Sequence, residues 1–177
     1  MSETVSPDTI AARQKVLFER LEALGIATET HAHAPVFTVE ESRELRGDLP
    51  GAHCKSLFLK DKKGVLWLVV ALEDRRIDLK ALAGLIGAAR LSFASPERLA
   101  THLGVVPGAV TPFALIHDDA NAVRVVIDAG ITIAERAHFH PLSNDATTAI
   151  APADLLRFIA ALGHEPAVVD LAAATAG

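Results

Sequence analysis

Apolar and polar positions change rhythm several times along this chain, and each rhythm predicts an element. Ile10, Leu17, Leu21 and Leu24 recur at helical spacing behind Ser6-Pro7, an N-cap followed by proline at the first helical position, and the run stops at Gly25. After an extended stretch through HAHAPVF, Thr38-Val-Glu-Glu41 fits a capping box opening a short helix that Gly47 and Pro50 close. The rhythm then shifts to period two. PGAHCKSLFLKDKKG, residues 50–64, reads as a turn, a strand and a second turn, with His53, Lys55, Leu57 and Leu59 on one face and Cys54, Ser56, Phe58 and Lys60 on the other. VLWLVVAL, residues 65–72, is apolar without interruption, the mark of a strand covered on both faces and central in its sheet.

Farther along, Asp78 can cap a helix through LKALAGLIG, RLSFAS reads as a strand, and Ser95-Pro96 starts a helix ending near Gly104. PFALIHD and VRVVID are strand candidates around a loop at residues 119–122, and PADLLRFIAALG is a well-patterned C-terminal helix. The turns at 61–64 and near 120 read as antiparallel connections, which argues against a purely parallel doubly wound sheet. The expected fold is α/β: one domain over residues 1–177, with a mixed, largely antiparallel sheet flanked by helices.

Composition narrows the setting. A chain of 177 residues that is 50% hydrophobic can bury a core without staples, and its single cysteine, Cys54, excludes an internal disulfide framework. The start, MSETVSPDTIAARQ, has no secretory pattern, and no apolar run approaches the roughly 20 residues of a membrane span, so a cytoplasmic protein is expected. The net charge of −5 argues against indiscriminate nucleic-acid binding, yet residues 55–90 carry 8 basic and 4 acidic side chains. Lys55, Lys60, Lys62, Lys63, Arg75, Arg76, Lys80 and Arg90 could form a phosphate-contacting patch, or could be scattered surface charge.

Several groups could carry chemistry, and each also has a plain structural explanation. In LGVVPGAVTPF, residues 103–113, Gly104, Pro107, Gly108 and Pro112 can turn peptide groups into a cavity, or simply form a helix cap and a turn. His138 and His140, like His31 and His33, lie two apart, a step of about 6.6 Å along a strand that suits shared metal coordination. No HExxH motif or carboxylate-and-histidine signature completes such a site, so no metal is expected. A Gly-x-Ser-x-Gly elbow is absent, and Cys54 reads as a small core residue rather than a nucleophile. Lys55 sits among leucines, where an ammonium either snorkels to the rim or meets a phosphate or developing oxyanion.

Taken together, HAPVFTVEE, GAHCKSLFLKDKKG, WLVV, IDLK, RLSFAS, LGVVPGAVTPFALI, FHPLSNDATTAI and GHEP resemble the YbaK/ProX family, in the family's order, from about residue 15 to 170. More narrowly the chain resembles the freestanding editing proteins related to the insertion domain of bacterial prolyl-tRNA synthetases, especially Ala-tRNA(Pro) deacylases. The resemblance implies hydrolysis of the ester joining a wrong amino acid to tRNA(Pro), without a cofactor. It implies mischarged tRNA(Pro) as partner, prolyl-tRNA synthetase as a further candidate, and neither DNA nor membrane. By this resemblance the essential lysine falls on Lys55 and the Gly-x-x-x-Pro loop on Gly108, Ala109, Val110, Thr111 and Pro112. The histidine and asparagine of HPLxN fall on His140 and Asn144. Lys55, Gly108 and His140 are the catalytic candidates; Ser56, Ala109, Val110, Thr111, Pro112 and Asn144 are the substrate-binding ones. Relatives often carry Lys-Asn where this chain carries Lys55-Ser56.

An activated ester needs a positioned water, a stabilised oxyanion and a pocket that excludes the cognate side chain, and no covalent nucleophile. A synthetase pocket sized for proline cannot strongly reject alanine by contacts alone, so a second, smaller sieve is required. Cysteine is only slightly larger than alanine and stays open as the substrate side chain. Two other classes also stay open: a nonenzymatic nucleic-acid-binding module using the basic 55–90 region, and a metal hydrolase using the histidine pairs.

Overall fold

The computed structural model describes residues 6–35 and 50–175. The capping box at residues 38–41 lies outside the described residues. Helix α1 (Pro7–Ala23) begins as its sequence dictates: the Ser6 hydroxyl accepts from the Thr9 N–H, Pro7 occupies the first turn, and the stripe buries Leu17 and Leu21. The chain continues through β1 (Thr28–Ala32), β2 (Ala52–Asp61), β3 (Leu66–Leu72), α2 (Leu79–Ile86), β4 (Leu91–Phe93) and α3 (Pro96–Leu103). A 3-10 turn (Pro112–His117), β5 (Val123–Asp128), the short α4 (Ala129–Thr132), β6 (Ala137–Phe139) and β7 (Ala146–Ile150) follow. Helix α5 (Pro152–Ala161), β8 (Ala167–Val169) and a last 3-10 turn (Leu171–Ala174) complete the described chain.

The strands form one sheet in the order β1-β7-β6-β2-β3-β5-β8, with β4 also on β2. The β1/β7, β2/β3, β2/β4 and β6/β7 pairings are antiparallel, and β2/β6, β3/β5 and β5/β8 are parallel. This is the mixed, mostly antiparallel sheet that the pattern implied. Strand β3 lies between β2 and β5 and is buried from Leu66 to Ala71, as its unbroken apolar run required.

Two local expectations are corrected. PFALIHD is not a strand: the Thr111 hydroxyl accepts from the Phe113 N–H, Pro112 supplies a fixed φ at the first position, and the segment winds into the 3-10 turn that buries Phe113, Ala114 and Leu115. A short apolar run reads alike in either geometry, and the local cap decided it. The loop near 120 is consequently no hairpin; β5 arrives parallel to β3 after a crossover through α2, β4 and α3.

The sheet separates two apolar layers. On one face Phe58, Leu66, Leu68 and Val70 pack with α1, α3, α5 and the first 3-10 turn, where Phe113 meets Phe139 and Phe158 edge-on. On the other, Leu59, Trp67, Val69 and Ala71 pack beneath α2 and the last 3-10 turn. The odd and even residues of β2 divide between these layers, as period two demands.

Candidate active site

Strand β2 has one complete edge and one split edge. Its odd residues pair with β3: His53 O accepts from Glu73 N, and Asp61 N donates to Val65 O. On the opposite edge β6 covers only Ala52 and His53, while β4 covers only Leu59 to Asp61. Among the described residues no strand spans the interval, and Ala94 N, donating to Phe58 O, marks its lower margin. Because the ladder to β3 takes the peptide groups of Lys55 and Leu57, those of Ser56 are directed at the opening. The parallel register sets Ala52 beside Ala137 and His53 beside His138; extended, it would bring His140 level with Lys55. The chain instead leaves the ladder after Phe139, so HPLSN departs at the rim of the split.

Lys55 is half-buried, and the small Ala71 lies opposite it on β3, which leaves room for its stem. Its ammonium donates to the carbonyl oxygen of Arg75. Burial lowers its pKa from the usual lysine value, and the nearby Glu73 carboxylate opposes that shift. Arg75 is in turn fixed by Asp128, which is fully buried and accepts from Arg75 Nε at 3.1 Å, Leu72 N at 3.1 Å and Gly130 N at 3.0 Å. Neither Asp128 nor Glu73 was singled out from sequence. The available signal was an aspartate ending the apolar run VRVVID two residues before a glycine, which also makes it the N-cap of α4. A groove of about 530 Å³ beside this group is lined by His53, Glu73, Arg75 and Arg76 among others.

The histidines pair across strands, not along them. His53 and His138 stack at 4.7 Å and 9°, with His138 Nε2 against Pro50 O at 2.8 Å. His33 and His140 approach to 6.4 Å between ring centres; His33 Nε2 meets Thr147 Oγ1 at 2.7 Å, and His140 Nδ1 meets Ala146 O at 3.1 Å. Burial lowers the His140 pKa, the Ala146 carbonyl opposes this, and His33 adds to the lowering. His31 points to Glu29 instead. Among the described residues no three His, Cys, Asp or Glu side chains converge to hold a metal ion. Burial pushes the Cys54 thiol up to about 12, which suits a core residue and not a nucleophile.

In the glycine–proline loop, Gly104 ends α3 in the left-handed region, and Ala109 N donates to Val106 O across a turn whose Gly108 has φ +92°. Ala109 and Thr111 are buried, Val110 is half-buried, and Gly108 is exposed. Ala109 and Phe113 belong to the layer of Phe58 and Val70, whereas Lys55 has the parity of Leu57 and Leu59 in the other layer. Strand alternation gives Lys55 the parity of one layer and places the loop in the other, and among the described residues no strand covers the edge of β2 between them. Ser56 has the parity of the loop's layer, while Asn144 is half-buried in the loop after His140.

Residues 33–158 match the family described as the aminoacyl-tRNA editing domain. The chain belongs to this family. As a member it is an aminoacyl-tRNA deacylase, a hydrolase of the ester between an amino acid and tRNA. It is 41% identical over 165 residues to the prolyl-tRNA synthetase associated domain-containing protein 1 of Bos taurus, covering 90% of this chain and 96% of that protein. It is 37% identical over 161 residues to the prolyl-tRNA editing protein ProX of Acetoanaerobium sticklandii, covering 90% and 98%. A solved structure described as a candidate trans-editing enzyme for prolyl-tRNA synthetase superposes with a TM-score of 0.70 at 22% identity, over 98% of this chain and 100% of that one, and shares the editing-domain fold. Among the described residues no helix is long and apolar enough to cross a membrane.

Proposed function

We propose that this editing-family chain acts in trans on mischarged tRNA(Pro), with Ala-tRNA(Pro) as the preferred ester and Cys-tRNA(Pro) as the alternative. The observation that carries the reading is the split edge of β2, where Lys55, the peptide groups of Ser56 and the departure point of His140 meet by register. The names of the ProX and synthetase-associated relatives support tRNA(Pro) as the substrate and prolyl-tRNA synthetase as a partner.

In this reading the terminal adenosine enters the opening and Lys55 exchanges the Arg75 carbonyl for an anion, either the terminal phosphate or the oxyanion that develops when water attacks the ester. The Ser56 N–H lies at the same edge and adds a donor. Residues 108–112 hold the amino acid with peptide groups from the Ser56 side and set the size of the sieve, admitting a methyl and excluding a pyrrolidine ring. The neighbouring ribose hydroxyl helps activate the water. His140, kept neutral by burial, and Asn144 shape the pocket wall. All of this falls to one cytoplasmic domain over residues 1–177 that uses neither metal nor cofactor.

Incubating the protein with Ala-, Cys-, Ser- and Pro-charged tRNA(Pro) in chelator tests the reading. The alanyl ester is expected to be lost fastest and the prolyl ester to survive. Lys55→Ala is expected to retain its fold and lose turnover by a factor of about 10² or more, the scale of one oxyanion donor. Survival of every ester would refute the assignment, and unimpaired Lys55→Ala would remove the lysine from the chemistry.

A further inference from the structure

Six of the basic residues between 55 and 98 line two grooves. Arg75 and Arg76 sit with Glu73 and Asp74 at the start of β2, where the charges offset one another. At the other end of the strand Lys60, Lys62, Arg90 and Arg98 line an open groove of about 530 Å³ whose single acidic member is Asp61. That carboxylate faces its own turn: it accepts from Lys63 N at 2.9 Å, Val65 N at 3.0 Å and Ala89 N at 3.3 Å, and the residue is 5% exposed. Among the described residues none of the four cations is ion-paired. Lys62, Arg90 and Arg98 are exposed and Lys60 is half-buried, on a chain whose net charge is −5. A concentrated positive groove on an acidic body selects a polyanion.

We propose that this groove docks the sugar-phosphate backbone of a paired RNA stem, so that β2 works as a ruler between the ester and the duplex. The inference rests on the deacylase reading and adds to it the surface that measures the substrate. Ser56, at the ester end in the proposed reading, and Lys60 share a face of β2 and lie four residues apart, about 13 Å at the strand rise of roughly 3.3 Å. A stacked strand advances roughly 3.4 Å per nucleotide, so this separation spans about four nucleotides, the length of the unpaired NCCA end, and sets the first stem phosphates at the groove. Four cations spaced around a groove and free of carboxylate partners are a phosphate-contacting set. They read backbone and not sequence, which places the groove as a register and affinity device.

The test is binding of an uncharged RNA hairpin ending in NCCA, followed by fluorescence anisotropy between 50 and 200 mM salt. A stemless NCCA oligonucleotide and an acidic peptide of equal charge are run in parallel. With four phosphates neutralised, the slope of log K against log salt is expected near −3, an affinity loss of about 60-fold across that range. Changing Lys60, Lys62, Arg90 and Arg98 together to Ala should flatten the slope to near zero while the stemless oligonucleotide binds as before. The pair Lys62→Ala/Arg90→Ala, both at exposed positions, should remove about half of the slope and guards against a folding defect in the fourfold variant. An unchanged slope in the variants, or tighter binding of the acidic peptide than of the hairpin, overturns the proposal. Ester turnover by the unaltered protein is scored separately, so loss of the deacylase reading and loss of the docking surface give different results.

Discussion

Replacing Asp128 tests whether the floor of the candidate site is built as described. The carboxylate is fully buried and takes three donors, two of them peptide N–H groups from β3 and α4. Asp128→Ala would strand Leu72 N and Gly130 N without partners, at about 1–3 kcal/mol each. The Arg75 side chain is 25% exposed and can turn to water, so its release adds little. The expected loss is about 3–4 kcal/mol, within the range for breaking a buried pair. Arg75→Ala removes one charge-assisted bond and leaves the carboxylate its two peptide donors, for about 1.5–3 kcal/mol. The double variant should cost less than the sum, because the shared bond is lost only once.

Trp67, the single tryptophan, is buried in β3 and reports urea unfolding of this sheet directly. With an unchanged m-value, the midpoint should fall most for Asp128→Ala and less for Arg75→Ala. Turnover should fall in both, since the Asp128–Arg75 pair positions the main-chain carbonyl of residue 75 that holds Lys55, although alanine keeps that carbonyl itself. If Asp128→Ala unfolds within about 0.5 kcal/mol of the unaltered protein, the two peptide donors were never dependent on it and the reasoning fails.

Other consequences are open to simple measurement. Phe113→Ala, in a fully buried ring that touches Phe139 and Phe158, should cost about 3–5 kcal/mol by urea titration. Gly51→Ala would place a Cβ 2.8 Å from Arg136 O and 2.9 Å from His138 Nε2 at φ +116°, so a loss of at least about 1–3 kcal/mol is expected in a thermal melt. Burial lowers the pKa of both His140 and His117, so below about pH 6.5 the unfolded chain takes up protons that the folded chain resists. Stability should be full above that pH and decline as pH falls toward the depressed folded values. The urea midpoint from pH 7.5 to 5 measures this, and His140→Gln should flatten the curve. With its thiol near 12, Cys54 should react with iodoacetamide at pH 8 about 10³-fold more slowly than a free thiol, and labelling at the free rate would contradict its burial.

The helices were legible because each carries its own boundary chemistry: Ser6-Pro7, Asp78 and Ser95-Pro96 cap where they were expected to. The faces of β2 were legible from period two alone. The parallel partners of β2 and β3 were not, because parallel pairing joins residues about 85 and 57 positions apart, as in Ala52 with Ala137 and Leu66 with Val123, and nothing local encodes it. The histidine pairs failed for the same reason: spacing along the chain suggested His138 with His140, while pairing between strands set His138 against His53 and His140 near His33. The buried Asp128 is a polar residue whose partners come from two other elements, so only the assembled sheet shows why it is there.

The lysine among leucines then has a physical account. Its strand position faces the second apolar layer, but the residue across from it is the small Ala71, and its ammonium reaches the Arg75 carbonyl. Burial lowers the pKa of the ammonium, and the nearby Glu73 carboxylate opposes that shift. One bond to a neutral carbonyl is a weaker anchor than a phosphate or an oxyanion would be. On the proposed reading that difference drives Lys55 from its resting contact to the opening in β2 when an ester arrives, and the fixed Asp128–Arg75 pair keeps the resting contact in register for its return.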